Sequence, residues 1–209
     1  MTNTPSRTTP GIPPEQITGL VLAGGRGSRM GGVDKGLQNH HGVPLALHAL
    51  LRLQPQVGAL LVNANRNLEH YARFGSPVIA DRIDGFAGPL AGLEAGLAAC
   101  PTPYLVCAPC DSPFLPPDLV SRLADTLTAA KASVAVARTG DRLHPVFSLM
   151  RTDELPDLQA FIRAGGRRFE NWLQRLKWVP CPFDDAPDAF ANINTPEELR
   201  AHEAGDPPR

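Results

Sequence analysis

Between residues 23 and 35 the chain gathers Gly24, Gly25, Gly27, Gly31 and Gly32 around three cations, Arg26, Arg29 and Lys35, with Asp34 as the only acid. Glycines let the backbone reach positive φ and approach a ligand closely, so that successive N–H groups converge on one anion. Guanidinium and ammonium groups beside them meet the several charges of a polyphosphate. The chemistry in view is therefore polyphosphate binding. Two common glycine loops do not fit. A G-x-G-x-x-G fingerprint starting at Gly25 and Gly27 meets Met30 where its third glycine belongs. A P-loop needs Gly-Lys-[Ser/Thr], whereas Lys35 stands between Asp34 and Gly36. A plain surface turn has no use for so many glycines and cations.

Asp111 is the candidate metal residue. One carboxylate, joined by substrate phosphates and water, is the usual way to hold Mg²⁺; a turn or helix-cap aspartate before Ser112-Pro113 is the other reading. With a triphosphate in the loop, the α-phosphorus is the electrophile and pyrophosphate the leaving group. An acceptor phosphate is already ionised near neutral pH, so catalysis reduces to positioning and charge neutralisation by Mg²⁺, Lys35 and Arg29. No Ser-His-Asp or Cys-His pattern competes with this. His40, His41, His48, His70, His144 and His202 form no metal-like pair at helical spacing; of these His144, before Pro145, could face an acceptor. Asn63 and Asp81 carry amide and carboxylate groups suited to a purine edge or a ribose, or to a turn.

The elements that must position these residues alternate between strand and helix. Strands are expected at about 17–22, 58–62, 77–80, 104–108, 133–137 and 145–149, with a short one at 178–179. Helices are expected from Pro44 through an apolar face of Leu45, Leu47, Leu50, Leu51 and Leu53, then at 67–73, from Gly88-Pro89 to Ala99, and at 117–130, 154–164 and 168–177. Leu90, Leu93 and Leu97 share one face of the helix ending at Ala99, while Gly92 and Gly96 keep another thin. Gly165-Gly166 is a helix stop, and a last helix starts at Thr195-Pro196 with Glu198 in capping-box position. Alternation implies a mostly parallel, Rossmann-like sheet covered on both faces, a three-layer α/β/α sandwich. Ligands in such sheets sit at the carboxyl ends of the strands. The glycine loop, Asn63, Asp81 and Asp111 each follow a strand.

The same residues carry a resemblance. Leu22-Ala-Gly-Gly-x-Gly-x-Arg29-Met30 followed by a lysine resembles the signature loop of the Rossmann-like nucleotidyltransferases. The longer form Arg29-Met-Gly-Gly-Val-Asp-Lys-Gly-Leu37 is similar to the molybdenum cofactor guanylyltransferases of the MobA family. Sugar and isoprenoid members typically place proline where Asp34 stands. The likeness continues at Leu61-Val-Asn-Ala-Asn-Arg66, Gly88-Pro-Leu90, Pro109-Cys-Asp111-Ser-Pro113 and Asn192-Ile-Asn-Thr-Pro-Glu-Glu-Leu199. It implies the nucleotide-diphospho-sugar transferase type of sandwich and transfer of GMP from Mg-GTP to Mo-molybdopterin. By motif it implies guanine nucleotide contacts from Leu22, Ala23, Gly24, Gly25, Lys35, Asn63, Asp81 and Asp111, with Asp111 on the metal. It places the pterin on the side of Asn192 and Asn194, where Arg167 and Arg168 would suit its phosphate; His144 is an acceptor candidate by its place at a strand start alone. The rivals are a cytidylyltransferase for the same cofactor, a sugar-phosphate enzyme, and a non-catalytic nucleotide carrier.

Composition sets the outer bounds. The chain has 209 residues, 43% hydrophobic and 20% charged, with net charge −1. These values describe a globular domain with room for a large core and no field drawing it to nucleic acid or membrane. No apolar run reaches membrane-span length and the N-terminus has no hydrophobic signal core, so the expectation is cytoplasmic. Residues 1–15 read as a disordered leader, 16–204 as one domain and 205–209 as a flexible end; transient contacts with other molybdenum cofactor proteins are expected. Cys107 and Cys110 have C-x-x-C spacing, but no second Cys/His pair completes a zinc set, and together with Cys100 and Cys181 they read as structural.

Overall fold

The computed structural model describes residues 11–23, 34–83, 88–193, 198 and 200. Gly24, Gly25, Arg29 and Asn194, most of the leader, the chain end and the start of the helix expected from Thr195 lie outside the described residues, while Glu198 and Arg200 of that helix are helical. Within the expected leader, Pro14–Gln16 form a 3-10 turn and Ile12 packs on the core, so described structure begins ahead of residue 16.

Apolar runs bounded by polar or glycine residues form the strands. β1 (Ile17–Leu22) is central and pairs in parallel with β4 (Ala59–Asn63) on one side and β6 (Tyr104–Pro109) on the other. β5 (Val78–Ile79) extends the sheet beyond β4. On the other flank β8 (Arg142–Arg151) lies antiparallel to both β6 and β7 (Val134–Thr139), and β9 (Trp178–Pro182) closes the edge parallel to β7. The order is β5-β4-β1-β6-β8-β7-β9. Strands buried on both faces read as continuous apolar runs, and this is how β1 and β6 read.

Each face of the sheet carries helices, giving the expected three layers. Against one face pack α1 (Leu45–Leu53) and α4 (Leu119–Ala130), through Ala46, Leu50, Leu53, Leu119, Leu123 and Leu127. Against the other pack α3 (Pro89–Ala99), α5 (Leu155–Arg163) and α6 (Phe169–Leu173), through Leu90, Leu93, Leu97, Leu158, Ile162 and Trp172. The short α2 (Leu68–Ala72) follows β4 and buries Tyr71.

Three local expectations change. Pro44 belongs not to α1 but to a small hairpin, β2 (Asn39–His40) with β3 (Val43–Pro44), turned at His41 (φ 50°) and Gly42 (φ 79°). Positive φ at both turn residues matches the twist of a tight hairpin. Leu51, counted on the apolar face of α1, is 54% exposed because it falls on the outward side of the helix. The helix expected over 168–177 ends at Leu173.

Glycine decides how α3 sits. A Cβ on Gly96 would lie 2.3 Å from Leu20 Cδ2, and one on Gly92 would lie 2.2 Å from Asn63 Oδ1. α3 therefore rests directly on β1 and β4. Between β7 and β8 the register jumps from Val136↔Ser148 to Ala137↔His144, and Pro145, which cannot donate to a ladder, sits in that irregularity. His144 turns inward there. Its ring stacks on Phe190 at 4.8 Å, stands edge-on to Phe147, and its Nε2 lies 2.8 Å from Thr139 Oγ1.

Gly96→Val should overpack this contact and cost about 1–3 kcal/mol, read as a lower urea midpoint at unchanged slope. Burial, with Arg142 nearby, lowers the His144 pKa to about 4. The unfolded chain, near 6.5, binds this proton more readily, so His144 stabilises the fold above that pH and the contribution is lost as pH falls toward 4. Tm measured across this window should fall less steeply for His144→Phe than for the wild type.

Candidate functional site

The carboxyl ends of β1, β4, β5 and β6 converge, and backbone bonds stitch them together just past the strands. Ala23 N–H donates to Asn63 O at 2.8 Å, Cys110 N–H to Leu22 O at 3.0 Å and Ala64 N–H to Ile79 O at 2.9 Å. Leu22 and Ala23, the last described residues before the glycine loop, thus emerge between Asn63 and Cys110.

Lys35 and Asp111 meet at this edge, Nζ to Oδ2 at 3.3 Å, with side chains 22% and 15% exposed. Burial raises the Asp111 pKa, while the Lys35 ammonium pulls it down. An ammonium and a carboxylate that water barely reaches give a lysine able to take a phosphate and a carboxylate able to take a cation. Gly36 makes the approach of Lys35 feasible: a Cβ there would meet Tyr71 Oη at 2.4 Å and both Ala46 Cβ and Cys110 Sγ at 3.3 Å. Cys107 and Cys110 are buried free thiols whose pKa burial pushes up, so the C-x-x-C spacing forms wall and not a redox pair. Among the described residues there is no cluster of three His, Cys, Asp or Glu side chains able to hold a metal alone.

Asn63 and Asp81 form a second group. Asn63 Nδ2 donates to Asp81 Oδ1 at 2.9 Å and to Ile79 O at 3.3 Å. Asn65, which the sequence reading passed over, donates from Nδ2 to Asp81 Oδ2 at 2.9 Å and accepts from Asp81 N at 2.8 Å. Each oxygen of Asp81 therefore takes one amide, which fixes the carboxylate plane.

Asn192 joins the first group from the far side of the sheet. Ser112 Oγ donates to Asn192 Oδ1 at 2.6 Å, and Ile193 N–H donates to Asp111 O at 2.8 Å. Two bonds thus tie the segment after β9 to the residues after β6. Ser112, fully buried, was missing from the expected set, and only its place beside Asp111 pointed to it. Other candidates are engaged elsewhere. Arg167 places Nη1 on Ile162 O at 3.3 Å and Gly166 O at 2.8 Å, at the turn between α5 and α6 where Arg168 is also exposed. His144 lies among Phe147 and Phe190, 7% exposed.

With that geometry in place, comparison with known proteins is informative. A family model described as the MobA-like NTP transferase domain matches residues 19–178. A molybdenum cofactor guanylyltransferase of Cupriavidus pinatubonensis is 56% identical over 196 residues, covering 91% of this chain and 98% of the relative. One of Bordetella pertussis is 55% identical over 193 residues, covering 90% and 98%. Among solved structures, molybdopterin-guanine dinucleotide biosynthesis protein A of Archaeoglobus fulgidus superposes with TM-score 0.74 at 25% identity, covering 90% of this chain and 97% of that one. A loop of glycines and cations after the first strand, a lysine set against a carboxylate, and this degree of likeness along nearly the whole length agree: the chain belongs to the molybdenum cofactor guanylyltransferases, within the MobA-like NTP transferase family.

Proposed function

We infer that the chain transfers GMP from GTP to the terminal phosphate of Mo-molybdopterin, giving a guanine dinucleotide cofactor and pyrophosphate. The observation that carries this reading is the Lys35–Asp111 pair at the strand ends. The residues fit a Mg²⁺–nucleotide: Asp111 offers one partly buried carboxylate, and the remaining ligands come from phosphate oxygens and water. When bound, Mg²⁺ neutralises charge on the reacting phosphates. Lys35 then exchanges Asp111 for a phosphate oxygen, so neither charge is left unpaired in a site of low dielectric. Arg29 is assigned the same work from the glycine loop.

Leu22, Ala23, Gly24 and Gly25 carry the nucleotide on their backbone. Asn63 and Asp81 read the base: guanine presents adjacent N–H donors on its pairing edge, and a carboxylate that only accepts suits it better than an edge with an acceptor there. Asn192 and Asn194, with the arginines at 167 and 168, receive the pterin. Ser112, by donating to Asn192 Oδ1, fixes the plane of that carboxamide at the edge where the acceptor phosphate arrives. The buried His144 is assigned no part in this reading. The reaction is placed in the cytoplasm and needs no nucleic acid, and transient contacts with other molybdenum cofactor proteins belong to the same reading; no helix among the described residues is long and apolar enough to cross a membrane.

Pyrophosphate release should occur with GTP and Mg²⁺ only when molybdopterin is present, and far less with CTP, ATP or UTP. Lys35→Met and Asp111→Ala should each lower kcat/KM by about 10²-fold or more while remaining folded. A fully active Asp111→Ala would remove the metal role, and a preference for CTP would move the activity to the sister cytidylyl transfer. Ser112→Ala should raise KM for the pterin about 5-fold, the worth of one hydrogen bond, without weakening GTP.

A further inference from the structure

The lysine at the centre of this site stands on backbone that something must hold, and Asp34, just before it, has so far had no role. Its carboxylate is fully engaged on one side. Oδ1 accepts from Tyr71 Oη at 2.6 Å and Oδ2 from Asn67 Nδ2 at 3.0 Å. Asn67, in the left-handed region at φ 52°, starts α2, the helix that carries Tyr71. On the other side of Lys35 the same hydroxyl is the nearest atom to the missing side chain of Gly36, 2.4 Å from where a Cβ would stand. One buried phenolic oxygen therefore touches both chain neighbours of Lys35. The ring is fully buried, edge-on to Phe74 at 5.7 Å.

We propose that Tyr71 is a positioning residue for the reaction: its hydroxyl, bonded to Asp34 and seated against Gly36, sets where the Lys35 ammonium stands. This rests on the nucleotide role given to Lys35 above. A lysine reaches its target through a flexible four-carbon stem, so beyond the Asp111 carboxylate at its tip the fold sets its reach by where that stem is rooted. A root fixed from both sides keeps Nζ within 3.3 Å of Asp111 and at the strand ends where phosphates arrive. The arrangement also links α2, and through it Asn63 and Asn65 at the end of β4, to the lysine, so the base-reading and phosphate-reading groups share one support. It gives the Asp34-Lys35 pair a physical reason: proline at that position carries no carboxylate to dock on Tyr71 and Asn67.

Phenylalanine fills the same core volume and removes only the hydroxyl, so Tyr71→Phe separates positioning from packing. The test is a double-mutant cycle on the affinity for Mg-GTP, measured by calorimetry on wild type, Tyr71→Phe, Lys35→Met and the double variant. Tyr71→Phe should weaken GTP about 5-fold or more in the wild-type background and less than about 2-fold when Lys35 is already gone. Asp34→Asn keeps an oxygen for the phenol but turns an amino group toward Asn67 Nδ2, so it should fall between wild type and Asp34→Ala, which should behave like Tyr71→Phe. An equal loss on both backgrounds, or no loss at all, overturns the proposal. Wild-type protein that bound GTP normally but released no pyrophosphate would fail the transferase reading and leave the cycle intact as its own answer; wild type that bound no GTP would overturn both.

Discussion

An ammonium and a carboxylate 3.3 Å apart, neither much exposed, are the constraint on which the rest of the molecule depends. Each ion is costly to hold out of water without the other, and burial already pushes the Asp111 pKa upward. The pair is affordable because three independent segments deliver it. β6 brings Asp111, the chain after the glycine loop brings Lys35, and the stretch after β9 closes over the main chain of Asp111 through Ile193. Remove either of the first two and one charge is left stranded; remove the third and the main chain that carries Asp111 loses its tie.

The close approach of α3 is the counterpart of this on the nucleotide side. Gly92 leaves the space that the Asn63 carboxamide fills: its Oδ1 lies where a Cβ would stand, while its Nδ2 reaches Asp81. Glu94 on the same helix is buried as well, meeting Gln159 at 2.8 Å and Arg82, just past Asp81, at 3.5 Å. Polar groups at the strand ends thus owe their direction to packing from behind, which is how a site keeps tight geometry without a dedicated scaffold.

Much of this was readable from sequence where one residue reports on one element. Parallel strands buried on both faces leave apolar runs, and a polar residue directly after such a run marks the strand end; Asn63, Asp81 and Asp111 were found this way. Gly165, at φ 89°, ends α5 as its position indicated. What was not readable lies in pairings between distant residues. Asn65 with Asp81, Tyr71 with Asp34 and Ser112 with Asn192 are separated by 16, 37 and 80 residues, and no periodicity records such a bond. The β2–β3 hairpin has strands of two residues each, too short to show alternation. The surroundings of His144 were equally illegible: an irregularity in register turns it inward onto Phe190, and no local pattern announces a bulge.

Sheet order sets how the segment after β9 reaches Asp111. β5, β4, β1 and β6 form a parallel block that carries every nucleotide candidate among the described residues, and β8, β7 and β9 add a second block beyond it. β9 runs parallel to β7, so it ends at the same edge of the sheet as β6, three strand spacings or about 14 Å away. The chain must come back across that edge, and it is held there firmly. Arg122 on α4 forks onto Asp185 at 2.9 and 2.8 Å and covers Phe183 at 4.0 Å, while Arg138 pairs with Asp184. Phe183 and Phe190 then anchor the return in the aromatic cluster around His144. The end of that path is Asn192 on Ser112, beside Asp111. β8 and β7 stand between β6 and β9, and the returning segment crosses that width to bring Asn192 and Ile193 onto Ser112 and the main chain of Asp111.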